Sequence, residues 1–465
     1  MHDRIRNYIN ENRQRMLAVL EELVAVPSVK GEPAPGAPFG RGPRAALDKA
    51  VGICRSAGFD TRICYDVVGT ADLLPAGCDF PSLGILCHLD VVPAQGQRGW
   101  LTDPFKMCEK DGVLYGRGVI DDKGPFAAAF IAMKCIKDLG IPLKKGVRLI
   151  FGTDEENGSE DLEIYLKKDK LPPQVFTPDA SFPVINIEKG MMRSRFSGSC
   201  KGGSIVSFHG GSIPNAVPDH AECVISGFSQ ELIEKLTALD RSGAQFTVRG
   251  HDIRDLKIEC TGRSAHASTP EGGINAVTAL IGLLDKLTLD PGKQSDIISG
   301  LAKAFPCGET DGTSAGLKCS DEKSGALTLV FSIFDMEDGK CEGCIDVRFP
   351  VCSSLAEVEK AERAALKEAH CKFEGYMGDE PHITDGDSDF VRTLLSVYER
   401  VEGVKGECIA IGGGTYVHNI PGGVAFGVER GDTDYHMHGA NEFITSDELV
   451  KDALLFAEAI VELCT

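Results

Sequence analysis

The sequence contains no run of eighteen or more apolar residues, so no membrane-spanning helix is expected. Basic side chains are in deficit: 49 Lys and Arg stand against 69 Asp and Glu, a formal net charge of -20 at pH 7. That balance argues against nucleic acid and anionic membrane surfaces as partners. The opening Met1-His2-Asp3-Arg4-Ile5-Arg6 has no apolar core behind a basic start, so no signal peptide is expected. Long linkers and low-complexity tracts are also missing. The 17 cysteines are odd in number and scattered, which argues against a disulfide framework. The one Cys-x-x-Cys, Cys341 to Cys344, has no second pair or nearby His pair to complete a zinc site. Reduced thiols in a cytoplasm are the expected state.

What is there is enough for two domains. At 465 residues the chain is too long for one core of usual size. Apolar spacing predicts a helix over 5–25 ended by Pro27, a loop over 31–43 rich in Gly and Pro, and a helix over 45–57 closed by Gly58. Strands are expected at 60–65, 84–87, 113–115 and 147–152, with a helix over 123–139 stopped by Gly140 and Pro142. Strand, helix, strand with polar residues at strand ends is the pattern of an open α/β sheet, whose ligands sit there. Beyond about Asn186 the pattern turns to short alternating segments (192–196, 205–209, 327–334) with helices at 230–239, 273–287 and 355–368. A helix over 389–401, a strand over 424–428 and a helix over 446–464 follow. The expected architecture is α/β: an open α/β catalytic domain over 1–186 and 381–465, interrupted by an inserted α+β domain over 187–380.

Five polar clusters punctuate this frame. His88 and Asp90 close an apolar strand and point to one side of it. A metal ligand with its partner, half of a proton relay, and a polar strand end that only packs all fit that pair. Gly116-Arg117-Gly118-Val119-Ile120-Asp121-Asp122-Lys123-Gly124 imitates a nucleotide-binding fingerprint, but Asp121 stands where a third Gly should allow close helix packing. A negative side chain is also wrong beside a pyrophosphate, which weighs against a nucleotide-dependent oxidoreductase. A carboxylate there suits a cation, with helix capping as the competitor. Glu155-Glu156 follows the strand over 147–152, and adjacent carboxylates repel unless a cation or a proton intervenes. Asp179, in Thr177-Pro178-Asp179-Ala180, and His436-Met437-His438-Gly439-Ala440-Asn441-Glu442 complete the set. Two His and several carboxylates without Cys make a donor set suited to zinc, manganese or cobalt.

In the order H-x-D, G-x-G-x-x-D-D-K-G, D-E-E, P-D and H-G-x-N-E, the clusters resemble the two-metal aminoacylase and carboxypeptidase superfamily of amidohydrolases. Within it they are most similar to the dipeptidase V branch, which cleaves dipeptides including Xaa-His types. The resemblance runs from the first helix to the last and implies a phosphorylase/hydrolase-like zinc-peptidase domain with a large lid. It implies that His88 and Asp179 hold one metal, that Glu156 and His438 hold the other, and that Asp121 bridges them with a cis peptide bond after it. Asp90 would orient His88. Glu155 would be the general base acting on a water between two divalent cations, zinc ahead of manganese or cobalt. His438 is preferred over His436 because it directly precedes Gly-Ala-Asn-Glu.

In the inserted lid the resemblance implies His266, within Cys260-Thr261-Gly262-Arg263-Ser264-Ala265-His266-Ala267-Ser268, as the stabiliser of the tetrahedral oxyanion. It implies Asn215 and Arg348 as substrate contacts, Arg348 with a fork suited to a carboxylate. Without the resemblance Arg348 reads as a strand-surface Arg paired to Asp346. Gly412-Gly413-Gly414-Thr415-Tyr416 offers backbone amides, Gly414 among them, to a peptide C-terminus; alone it could equally cradle a phosphate, though it lacks the Lys of a P-loop. Val417-His418 departs from the family, where a small residue and an Arg are common. The expected function is a cytoplasmic, monomeric two-metal dipeptidase acting on a small peptide, monomeric because the lid supplies His266 from the same chain. An N-acyl amino acid deacylase such as succinyl-diaminopimelate desuccinylase would use the same motifs. A non-catalytic metal- or peptide-binding relative would have no use for Glu155.

Overall fold

The computed structural model describes every residue except 241, 253, 288 and 432. It divides into two compact units, one formed by 1–186, 383–409 and 414–465, the other by 187–382 and 410–413. The return to the second unit at 410–413 is a feature that the sequence reading left in the first.

The first unit is built on a nine-stranded sheet whose strands run in the order Asp60–Cys64, Val68–Leu73, Gly146–Gly152, Pro81–His88, Gln174–Thr177, Val424–Ala425, Val184–Glu188 and His382–Ile383, with Cys408–Ile411 also pairing with Val184–Glu188. The central strands Gly146–Gly152, Pro81–His88 and Gln174–Thr177 are parallel, and His88 is in register with Gly152. Both central long strands are buried along nearly their whole length, which is why they read as continuous apolar runs. The crossover between them is the helix Lys123–Asp138, buried at every position from Lys123 to Ile136. Its N-terminal turn fits only because Gly124 has no side chain: a Cβ there would lie 2.0 Å from the Val119 carbonyl oxygen. Phe126 meets Phe151 edge to face, and the closing helix Ser446–Cys464 lies alongside. The parallel pair and its crossover bring the chemistry-bearing loops to the carboxyl ends of the strands.

The second unit carries an eight-stranded antiparallel sheet in the order Gln245–Gly250, Asp255–Thr261, His220–Ser226, Ile205–Gly210, Thr328–Glu337, Lys340–Phe349, Gly190–Ser199 and Lys372–Asp379. Helices Gln230–Ala238, Ala276–Asp285, Lys293–Ala304 and Leu355–Glu368 join its apolar cluster, in which Phe196, Phe208, Phe331 and Phe334 interlock.

Several expected elements differ. The helix expected over 5–25 is two, His2–Glu11 and Arg13–Val24, because Asn12 leaves helical geometry and its side-chain amide donates to the Tyr8 carbonyl. The loop expected to reach Pro43 ends at Gly40, and the next helix is Arg41–Ser56. Pro43 sits in its first turn, where a missing N–H costs nothing. The strand expected over 424–428 pairs only at Val424–Ala425. The helix expected over 273–287 begins at Ala276, capped by the Asn275 side chain. Among the described residues no helix is long and apolar enough to cross a membrane.

Candidate active site

His88 ends the strand Pro81–His88 with its side chain fully buried. Its Nε2 lies 2.8 Å from Asp121 Oδ1 and 3.5 Å from Asp179 Oδ2. The other oxygen of Asp121, Oδ2, lies 2.9 Å from His438 Nε2, which is 3.1 Å from Glu156 Oε2. Asp121 thus uses one oxygen toward each imidazole. Two groups of donors result, His88–Asp121–Asp179 and Asp121–Glu156–His438, each with its ligand atoms within 4.8 Å of one another. The helix after this loop begins at Lys123 with Asp122 as its N-cap residue, so capping does not account for Asp121. The Asp121–Asp122 peptide bond is cis, and the Asp122 carboxylate accepts the His88 backbone N–H at 2.9 Å.

The electrostatics of the pocket call for positive charge. Burial opposes a proton on His88, yet Asp121, Asp179 and Asp90 outweigh it and raise the imidazole well above its ordinary value. Asp121 and Glu156 push His438 up to about 11. Burial, with Asp121 adding, pushes Glu156 up to about 7 and raises Asp179. For Asp121 the two imidazoles overcome burial and hold the carboxyl well below its usual range. Glu156 Oε1 is buried without a hydrogen-bond partner. Carboxylates crowded in this way are stable as anions only beside cations, and a two-His, three-carboxylate set sharing one Asp fits a pair of divalent ions.

Glu155 belongs to neither group. Burial, then the negative charges of Asp179, Glu156 and Asp121, raise its carboxyl well above the ordinary value against the opposing pull of His88. The turn carrying Glu155 and Glu156 is held by Asp90, whose two carboxylate oxygens accept their backbone N–H groups at 3.1 Å each. His88 Nδ1 is 2.9 Å from the backbone carbonyl of Asp90 and 3.5 Å from its carboxylate. Asp90 therefore serves the Glu155–Glu156 turn through its side chain and His88 chiefly through its main chain.

Sequence reasoning assigned no role to three further residues of this unit. Asp161, raised to about 7 chiefly by burial, accepts the Thr153 and Asp154 backbone N–H groups and the Tyr416 hydroxyl at 2.6 Å. It so fixes the segment just before Glu155, and Tyr416 sets its ring edge-on to His88. Arg117 and Glu442, both buried, are paired at 2.6 Å. Arg117, a charge between two glycines, and Glu442, at the end of the fifth motif, offered a signal; Asp161, among the acids Glu160 and Glu163, offered none. Gly414 is exposed in this unit, two residues before Tyr416. His436 stacks edge-on against Phe443 and is absent from both donor groups.

His266, Asn215 and Arg348 lie in the second unit. The Ala267 backbone N–H donates to the Asn215 carbonyl and Val217 N–H to Ala265, so Asn215 and His266 share one short bridge. His266 Nδ1 is 2.7 Å from Ser268 Oγ. Gly412 packs on Ser268 so closely that a Cβ would lie 2.6 Å from the Ser268 Cβ. Arg348 donates to the Gly412 carbonyl at 2.9 Å and pairs with Asp346 at 2.6 Å. The second unit thus strings Arg348, Gly412, Ser268, His266 and Asn215 into one patch, with the Asp346 pairing present as well.

Comparison with known proteins bears on the whole chain. The model of Peptidase family M20/M25/M40 matches residues 84–462. A Bacillus subtilis protein, YtjP, provisionally named a dipeptidase, is 35% identical over 97% of this chain and 97% of its own. The Beta-Ala-Xaa dipeptidase of Lactobacillus delbrueckii subsp. lactis is 34% identical over 97% of this chain and 96% of its own. Among solved structures, human carnosine dipeptidase 1 superposes with a TM-score of 0.62 at 18% identity, covering 99% of this chain and 98% of that one. At that identity the likeness is one of fold.

Proposed function

This chain belongs to peptidase family M20/M25/M40, and on that premise we propose that it is a metal-dependent dipeptidase hydrolysing the peptide bond of small unblocked dipeptides. The observation that carries the reading is Asp121 shared between two imidazole–carboxylate groups, with the half-buried Glu155 feeling the charges of both and committed to neither. His88 and Asp179 would hold one cation, Glu156 and His438 the other, and Asp121 both; zinc is the proposed ion, with manganese or cobalt as substitutes. Such ions, when bound, polarise the scissile carbonyl and make water a usable nucleophile near neutral pH.

Glu155 accepts the proton of the attacking water and delivers it to the leaving amine. Its raised carboxyl suits both halves of that transfer, and Asp90 keeps it aimed by holding its backbone N–H. His266 donates to the developing oxyanion. Arg348 and Asn215 contact the substrate together with the Gly414 amide, and the second unit acts as a lid that excludes water and longer peptides. With His266 supplied from the same chain, the active protein is a monomer. Seventeen free thiols support a reducing compartment such as the cytoplasm.

A panel tests the reading: chelator-stripped and metal-reconstituted protein assayed on Xaa-His, β-Ala-His, plain dipeptides, tripeptides, and N-acetyl and N-succinyl amino acids. Dipeptides should be cleaved in preference to tripeptides. Chelation should abolish turnover, with zinc, manganese or cobalt restoring it. Preferred turnover of the acylated amino acids would make the protein a deacylase, and full activity without metal would end the mechanism.

A further inference from the structure

Two donors of the proposed centre, Asp121 and His438, reach it on irregular loops, 116–122 and 436–442. The second loop is strained: His436, His438 and Asn441 all have left-handed backbones, with φ of 57°, 59° and 62°. Non-glycine residues persist there only where their surroundings over-determine them. Something must hold this loop, and the fully buried Arg117 and Glu442 stand where the two loops meet.

Glu442 Oε1 accepts the Gly118 and Ile120 backbone N–H groups at 2.9 and 3.2 Å, and Asp121 N–H more distantly at 3.4 Å. Its Oε2 pairs with Arg117 Nη1 at 2.6 Å. Arg117 Nη2 donates to the Gly439 carbonyl at 3.1 Å and to Gln97 Oε1 at 2.8 Å, and Gln97 Nε2 donates to the His438 carbonyl at 2.8 Å. Asn441 closes the frame from outside, exchanging hydrogen bonds with Gly99 and Leu101 at 2.8 Å each. One planar guanidinium thus addresses three partners in fixed directions, which a Lys ammonium on a flexible stem does not reproduce.

We propose that Arg117, braced by Glu442 and extended by Gln97, is a positioning strut that sets His438 against Asp121 and so controls the affinity of the Asp121–Glu156–His438 group for its cation. The inference rests on the reading of the two donor groups as a two-metal centre. It predicts an asymmetry: Arg117 and Gln97 donate to the His438 loop at Gly439 and His438, the shared Asp121 is braced by Glu442 rather than by either of them, and none of the strut's hydrogen bonds reaches His88 or Asp179. The two ions are therefore separable: the first is held by a strand-end His, the second by a loop whose shape the strut sets.

The test is a zinc titration of metal-free protein against a chromogenic chelator, comparing the parent with Gln97→Ala and Arg117→Lys. Gln97→Ala removes only the outer link and leaves the buried ion pair, which keeps the experiment free of a folding failure. The parent should bind two zinc ions. Both variants should keep the first within about twofold and weaken the second at least tenfold, Arg117→Lys more than Gln97→Ala. Visible absorption of cobalt-loaded protein should show the second equivalent alone perturbed. Second-ion affinity within twofold of the parent in both variants overturns the strut, as does equal weakening of both ions, which marks a merely structural role. A parent binding fewer than two ions instead overturns the two-metal reading, and the strut with it.

Discussion

Glu362 supplies a prediction whose size follows from its surroundings. It lies on the buried face of the helix Leu355–Glu368 with Val358, Ala365 and Leu366, and is itself fully excluded from solvent. Its Oε1 accepts from the Ser194 hydroxyl, while Oε2 has no partner. Burial raises the carboxyl from its ordinary 4.5 to about 8, with Ser194 and Arg363 opposing only in part. A folded value above the unfolded one means that the native state keeps a proton the unfolded chain has released. Stability from this group is therefore complete below about pH 4.5 and is lost as pH rises to about 8, at about 1.4 kcal/mol per pH unit and about 5 kcal/mol in all. Glu362→Gln cannot ionise and should remove this dependence. The new amide meets the position of the unpartnered oxygen and costs about 1–3 kcal/mol at every pH, which shifts the stability curve without tilting it. Urea unfolding of parent and variant from pH 4.5 to 9 reads the difference in slope. Parallel curves would refute the argument, because they would mean that Glu362 is already ionised in the native protein.

Two substitutions address the chemistry. Glu155→Gln removes the proposed proton acceptor while preserving shape, so turnover should fall by roughly 10²–10⁴-fold with metal content at the parent's level; normal turnover would show that another group moves the proton. His266→Ala should lower turnover by about 10²–10³-fold with a smaller change in KM, measured on the best substrate of the panel. An unchanged turnover number would take His266 away from the oxyanion.

How much of this was legible in the sequence depended on what holds each residue. The strand before His88 and the strand before Glu155 were readable because central parallel strands are buried on both faces and so appear as apolar runs. The strand Gln174–Thr177, which delivers Asp179, is four residues long and has no periodicity to read. Arg348 read as a strand Arg paired to Asp346, and the pairing is present, but the full length of its strand Lys340–Phe349 was hidden because Cys, Gly, Asp and Arg break the alternation at positions that pairing on both sides keeps extended. Asn12, a polar residue on an otherwise regular stripe, divided a helix because its side chain had a carbonyl to bond.

The same distinction separates donors from the groups that aim them. A donor sits in a local motif, since its type and its turn are set by neighbours in the chain, and this is why His88, Asp121, Glu156 and His438 could be singled out together. The groups that aim them work across long intervals: Glu442 on Gly118, Asp90 on Glu155, Asp161 on Tyr416. Each is a buried carboxylate whose oxygens take backbone N–H groups or a hydroxyl from a distant segment, and no local spacing predicts such a partner. Burial makes these bonds costly to break, because an unmet carboxylate away from water carries its full desolvation penalty. The geometry of the site therefore depends on acids outside the two donor groups as much as on those within them. In this fold the candidate donor set is written in the motifs, and its precision in carboxylates that bind backbone N–H groups and a hydroxyl.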